Sequence, residues 1–149
     1  MKILGLLQNQ WVHDPARVEA MIARDPTKRR RILAMLLFAG CGLTGKRLRW
    51  ALGDWCERIE WENADPEITD RPDVHVSGDL AHLVKALDEV KPSIVITFGS
   101  IACKTLAQTD WTGPVLRAPH PAARGPGVLK DLRGVRRQLD ELASEEARG

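Results

Sequence analysis

Apolar positions along the chain alternate between short continuous runs and helical stripes. Residues 2–7 form an apolar run that ends in Gln8-Asn9-Gln10 and predicts a buried strand. Asp14-Pro15 supplies an N-cap and a first-turn proline, and Val18, Met21 and Ile22 recur at helical spacing behind them. Asp25-Pro26-Thr27 ends that helix and starts another, with Ile32, Leu33, Leu36 and Leu37 on one stripe. Gly40, Gly42 and Gly45 mark a loop, and Leu48, Leu52 and Trp55 predict a third helix. Arg58 to Glu62 alternates charged and apolar residues, the pattern of a strand with one polar face. Asn63 to His75, with two prolines and four acidic residues, reads as loop. Leu80, Leu83, Val84 and Leu87 give an amphipathic helix over 79–90, closed by Pro92. Residues 93–98 are the best strand in the chain, β-branched and apolar. Gly99-Ser100 turns into a helix over 102–107, and 114–116 is a short strand. A Pro/Gly loop from His120 to Gly127 precedes a last helix over 129–147.

Strands alternating with helices, the strands mostly continuous apolar runs, define an α/β domain with a parallel sheet. The expectation is a three-layer α/β/α arrangement with four parallel strands. The first strand, apolar on both faces, should be central. At 149 residues, with no repeat and no linker, residues 1–149 form one domain. Hydrophobic residues make up 44% of the chain and the net charge is only +2, which excludes a disordered polyelectrolyte. No apolar run approaches the roughly 20 residues that span a bilayer. The apolar start is too short for a signal peptide, so a cytoplasmic protein with no membrane partner is expected. Cys41, Cys56 and Cys103 are odd in number and scattered, as reduced thiols are, and no CxxC pair exists. No metal and no cofactor are expected.

Charge is unevenly placed. Residues 24–58 carry nine Lys or Arg against three acids, and 114–137 carry six against one. Residues 60–91 carry nine acids against three bases. Charge runs by themselves fit solvated helix faces, but basic segments sharing a face would neutralise phosphates. The expectation is that Lys28–Arg31, Lys46, Arg47 and Arg124 surround the mouth of a cleft, with Glu60–Asp73 turned away.

In open parallel sheets ligands bind beyond the carboxyl ends of the strands. Here those ends carry Gln8, Asn9, Gln10 and Trp11, then Asn63, then Gly99 and Ser100, then Pro119-His120-Pro121. Amides and one imidazole suit reading the edge of a base by hydrogen bonds.

These residues, in this order, resemble the uracil-DNA glycosylase superfamily over nearly the whole chain, closest to its mismatch-specific type. Leu7-Gln8-Asn9-Gln10-Trp11 stands where members carry Gly-Gln-Asp-Pro-Tyr or Gly-Ile-Asn-Pro-Gly. Phe38-Ala39-Gly40 precedes Thr44 to Trp50, similar to the Phe-Ala, loop and Asn-Arg-Phe-Trp of mismatch-specific members. Phe98-Gly99-Ser100-Ile101-Ala102 to Leu106 is similar to Leu-Gly-x-x-Ala-x-x-x-Leu, and His120-Pro121-Ala122 to His-Pro-Ser. The resemblance implies a uracil-DNA-glycosylase-like fold and a hydrolase that cuts the N-glycosidic bond of uracil or a related pyrimidine in DNA. Asn9 would position the attacking water, and His120 would donate to the base carbonyl. Gln8, Phe38 and Asn63 would bind the base. Lys46, Arg47, Ser100 and Arg124 would contact DNA. Asn9 and His120 are expected on adjacent strand ends with Phe38 between them, in a monomer that flips the base out of DNA. Gln10 replaces the family's Pro, Trp11 its Tyr or Gly, and Ala122 its Ser. A second reading therefore stands beside the first: a DNA- or base-binding module on the same fold without catalysis. A third, an enzyme acting on free nucleosides or nucleotides, leaves the extended basic segments without a role.

Overall fold

The computed structural model describes residues 1–40, 42–71 and 76–149. In chain order the elements are β1 (Ile3–Leu7), β2 (Gln10–Trp11), α1 (Pro15–Arg24), α2 (Arg29–Ala39), α3 (Leu43–Leu52), α4 (Trp55–Arg58), β3 (Ile59–Asn63), β4 (Ile68–Thr69), α5 (Leu80–Val90), β5 (Ile94–Phe98), α6 (Ser100–Ala107), β6 (Val115–Ala118) and α7 (Val128–Arg148). A 3-10 turn over Pro26–Lys28 leads into α2.

The main sheet has the order β3-β1-β5-β6 and is parallel throughout. β1 is an inner strand, as its apolar faces require, and each of its residues is buried. Leu7 lies opposite Asn63 on one side and Leu6 opposite Thr97 on the other, so β1, β3 and β5 end together. One face packs on α2, α3, α4 and α7 through Leu48, Leu52, Trp61, Phe98, Leu132 and Leu139. The other packs on α5 and α6 through Leu4, Leu6, Leu83, Val95, Ala102 and Leu106. This is the three-layer α/β/α architecture.

The open edge at β3 is guarded by charge. The Arg30 guanidinium reaches from α2 to Glu60 (3.7 Å) and Glu62 (3.8 Å) on β3 and to Glu89 (3.3 Å) on α5. It straps both helical layers across the edge, where an unguarded strand would template pairing with another chain.

Three details differ from the sequence expectation. Gly45 is not in a loop but inside α3, buried where α3 meets α2. A Cβ there would run into the carbonyl oxygen of Leu37, so the two helix backbones touch only because residue 45 has no side chain. The third helix breaks at Gly53 (φ 58°), so Trp55 begins α4 instead of continuing α3. Within the expected 63–75 loop, β4 pairs in parallel with β2, Gln10 opposite Ile68 and Trp11 opposite Thr69. Residues 72–75 of that loop, and Cys41, lie outside the described residues.

Gly45→Ala should destabilise the protein by about 1–3 kcal/mol, the usual range for overpacking. A urea midpoint lowered at unchanged m-value would show it. An unchanged midpoint would mean that α2 and α3 separate freely.

Candidate functional site

The carboxyl ends of β1, β3, β5 and β6 form one rim, and each strand delivers a different residue to it. After β1, Asn9 is half-buried and its side chain is oriented. Asn9 Nδ2 donates to Thr69 Oγ1 (3.1 Å) and more weakly to the Gln10 carbonyl (3.4 Å). Thr69 Oγ1 in turn donates to the Arg71 carbonyl (3.0 Å), so it meets Asn9 with a lone pair. Asn9 Oδ1 thus remains an acceptor of fixed direction. Thr69 escaped the sequence reading because a two-residue strand in a Pro- and acid-rich stretch carries no periodic signal. Gln8 is half-buried, and its carbonyl accepts from the Asp65 amide (3.0 Å). Trp11 is 40% exposed and stands edge-on to His13, so it neither caps the core nor fills the rim.

After β6, the chain carries His120 past β5. Gly99, at the end of β5, has φ 94°, and a Cβ on it would lie 3.1 Å from His120 Cβ. Only glycine suits that backbone and that approach. His120 Nδ1 accepts from the Ala122 amide (3.1 Å), and the His120 carbonyl accepts from Ala123 N–H (2.9 Å). Because Nδ1 is an acceptor, the neutral ring carries its proton on Nε2. Burial holds the imidazole below its ordinary value of 6.5. The ring therefore offers one N–H donor and no positive charge at neutral pH.

Arg47 secures this loop. Its Nη1 donates to the Pro121 (2.8 Å) and Ala123 (3.0 Å) carbonyls, which ties α3 to the segment that holds His120. Its guanidinium faces two protein carbonyls, a use that the sequence reading as a DNA contact did not contain. Arg47→Ala should cost about 1.5–3 kcal/mol, the range for hydrogen bonds to a charged group. Hydrogen exchange at the Ala122 and Ala123 amides should quicken in the variant; unchanged exchange would mean that the loop holds itself.

The expected constellation is only partly assembled. With β5 between β1 and β6, the ends bearing Asn9 and His120 are two strand spacings apart, about 10 Å, and not adjacent. Gly99, bare of side chain, lies between them. Phe38 does not lie between them either. It packs edge-on to Trp61 (5.5 Å between ring centres) with the Arg49 guanidinium 4.9 Å above it. It lines an open hollow of about 420 Å³ with Met35, Arg49, Cys56, Ile59 and Trp61, beside the start of β3. That hollow contains no rim residue. Asn63 is buried at the end of β3 and borders a void of about 10 Å³ with Gln10, Leu37 and Glu62. Ser100, Lys46 and Arg124 are exposed, on the α6 start, α3 and the His120 loop.

The charge expectation is corrected for Arg29 and Arg30. Arg29 pairs with the buried Glu62 (3.1 Å), and Arg30 with Glu60, Glu62 and Glu89. The acids of β3, expected to face away, neutralise these arginines. Glu62 Oε1 also meets His82 Nε2 (3.1 Å) and accepts from the Asn63 amide (2.9 Å). Burial by itself raises the Glu62 carboxyl, but these donors outweigh it and hold the group below its ordinary value.

Cys56 is buried and unpaired, and its burial pushes the thiol up to about 11. A thiol so protonated is no nucleophile. Among the described residues no group of three or more His, Cys, Asp or Glu could hold a metal ion. No described helix is long and apolar enough to cross a membrane. No family model matches the chain, and no curated protein matches it.

Proposed function

We propose that the rim receives a pyrimidine flipped out of DNA and that the protein hydrolyses its N-glycosidic bond. The observation that carries this reading is the state of His120: neutral, with Nδ1 occupied by the Ala122 amide and Nε2–H left as a donor. A leaving pyrimidine takes the electron pair of the C1′–N1 bond, and negative charge spreads to its carbonyl oxygen. A fixed N–H donor stabilises that charge more than it stabilises the bound base. Asn9 Oδ1, oriented through Thr69, accepts from a water that adds to C1′ and releases its proton to solvent. An amide cannot take that proton, so Asn9 orients the water only. Gln8 and Asn63 read the base, and Lys46, Ser100 and Arg124 meet the DNA backbone.

The second reading, a DNA- or base-binding module without catalysis, shares the same requirement for room at Asn63. The void beside Asn63 holds about 10 Å³, room for one water and not for a base. Base capture at Asn63 therefore requires Gln10 or Leu37 to move.

Both readings require base recognition. An oligonucleotide with one uracil should bind more tightly than its thymine counterpart, and free uracil should compete. Equal affinity, with no competition, contradicts both.

A further inference from the structure

Among the described residues of 24–58, Arg24, Arg31, Lys46, Arg47 and Arg58 form no ion pair and four other cations do, whereas no cation of 114–137 is ion-paired. Lys28, Arg29, Arg30 and Arg49 are all ion-paired. Among the described residues, Lys46, Arg124, Lys130, Arg133, Arg136 and Arg137 form no ion pair. Most of these free cations gather on the outward face of α3 and α7.

Helical spacing sorts α7 into three strips. Val128, Leu132, Val135 and Leu139 face the core. Lys130, Arg133 and Arg137 follow the i, i+3, i+7 rule on the exposed side, spanning about 10 Å of helix. Asp131 and Gln138 fall on one flank, and the strip ends after Arg137, where Asp140, which accepts from Trp55 Nε1 (2.8 Å), and Glu141 follow on the same side. On α3, Leu43, Lys46 and Trp50 form an outward stripe at the same spacing, and Leu43 and Trp50 are each 50% exposed. The helices lie in register. Arg133 stacks its guanidinium 3.9 Å from the centre of the Trp50 ring, and a Cβ on Gly53 would lie 3.2 Å from Arg136 Nη1. At the rim end, Arg47 bonds the Pro121 and Ala123 carbonyls, next to His120.

We propose that the α3–α7 face is a single-strand nucleic-acid track that continues from the rim. Lys46, Lys130, Arg133 and Arg137 meet phosphates, and a base stacks on the face of Trp50 opposite the Arg133 guanidinium. A row of unneutralised cations with one exposed indole is the combination that binds single strands without sequence preference: charge follows the backbone, and the ring accepts any base. The proposal rests on the reading of the rim as a DNA-base site, and it assigns the strand flanking that base a path over the protein.

The test is fluorescence anisotropy with a labelled 15-residue oligothymidine, which carries no uracil, titrated from 50 to 300 mM NaCl. The variants are Lys130→Glu/Arg133→Glu/Arg137→Glu, the neutral Lys130→Gln/Arg133→Gln/Arg137→Gln, the charge-keeping Arg133→Lys/Arg137→Lys, and Trp50→Ala. Removing three phosphate contacts should weaken binding at least tenfold at low salt and flatten the log–log salt slope by about 2. The lysine variant should stay within about threefold, as positive charge demands. Trp50→Ala should lose at least about fivefold, the lower end for base–aromatic stacking. If charge reversal unfolds the chain by circular dichroism, the neutral triple variant carries the comparison. Unchanged affinity and slope in the folded triple variants overturn the proposal. So does a wild type that binds no oligothymidine, whether or not it binds phosphatidylserine vesicles. Loss of oligothymidine binding on reversal, in a protein that ignores uracil, keeps the track and discards the rim reading. Unchanged oligothymidine affinity on reversal, in a protein that recognises uracil, keeps the rim and discards the track.

Discussion

His120→Ala should lower single-turnover excision of uracil by about 10²–10³-fold, the effect of deleting one preorganised donor to a developing oxyanion. DNA affinity should change little, because phosphate contacts come from other residues. The pH profile carries a second signature. Burial holds the imidazole below its ordinary value of 6.5, so the neutral donor persists to lower pH than in a free histidine. Wild-type excision should fall at a lower pH than a free histidine would dictate, where a proton on Nδ1 ends its acceptance from the Ala122 amide and displaces the ring. In the variant that acid limb should vanish. A rate unchanged by His120→Ala would leave the imidazole as a loop support for the Ala122 amide and nothing more.

Glu62→Ala should be the most damaging single change to stability. The carboxylate is 98% buried and holds Arg29 (3.1 Å), His82 (3.1 Å) and the Asn63 amide (2.9 Å), with Arg30 at 3.8 Å. Removing one member of such a buried pair strands Arg29 without its counter-charge and leaves the Asn63 amide without its acceptor, at a cost of about 3–5 kcal/mol. The sign with pH follows from the lowered carboxyl. The folded protein holds this proton more weakly than the unfolded chain does. The stabilisation is complete above the ordinary glutamate value of 4.5 and is lost as pH falls through the lowered folded value. Urea midpoints measured from pH 7 to pH 3 should drop in the wild type and flatten in Glu62→Ala. Parallel curves would show that the cluster does not couple to folding.

The strands and the long helices were legible because burial on two faces or one stripe writes itself into the sequence. β1 and β5 are continuous apolar runs between helical layers, and α7 repeats its core stripe from Val128 to Leu139. What escaped was non-local or compensated. Leu48, Leu52 and Trp55 keep helical spacing across the break at Gly53, so periodicity passed over a turn. Gly45 looked like a loop residue because glycine weakens isolated helices; here the close approach of α2 offsets that weakness. The pairing of Arg29 with Glu62 joins residues 33 positions apart, and no local pattern announces it. The rim residues could be named from strand ends, but not their neighbours. Strand order puts Gly99 between Asn9 and His120, and Phe38 turned to Trp61 because α2 lies over the start of β3.

The central claim is that Asn9 and His120 act on one glycosidic bond. Single-turnover incubation of wild type and Asn9→Ala with oligonucleotides bearing uracil, single-stranded and opposite guanine, tests it directly through alkali-labile abasic sites. The wild type should produce abasic sites in the presence of EDTA, and Asn9→Ala should lose about 10²-fold, the cost of a misplaced reactant. No abasic sites from a wild type that binds the uracil strand would contradict hydrolysis and leave a base-binding module; full activity in Asn9→Ala would contradict the role of the amide.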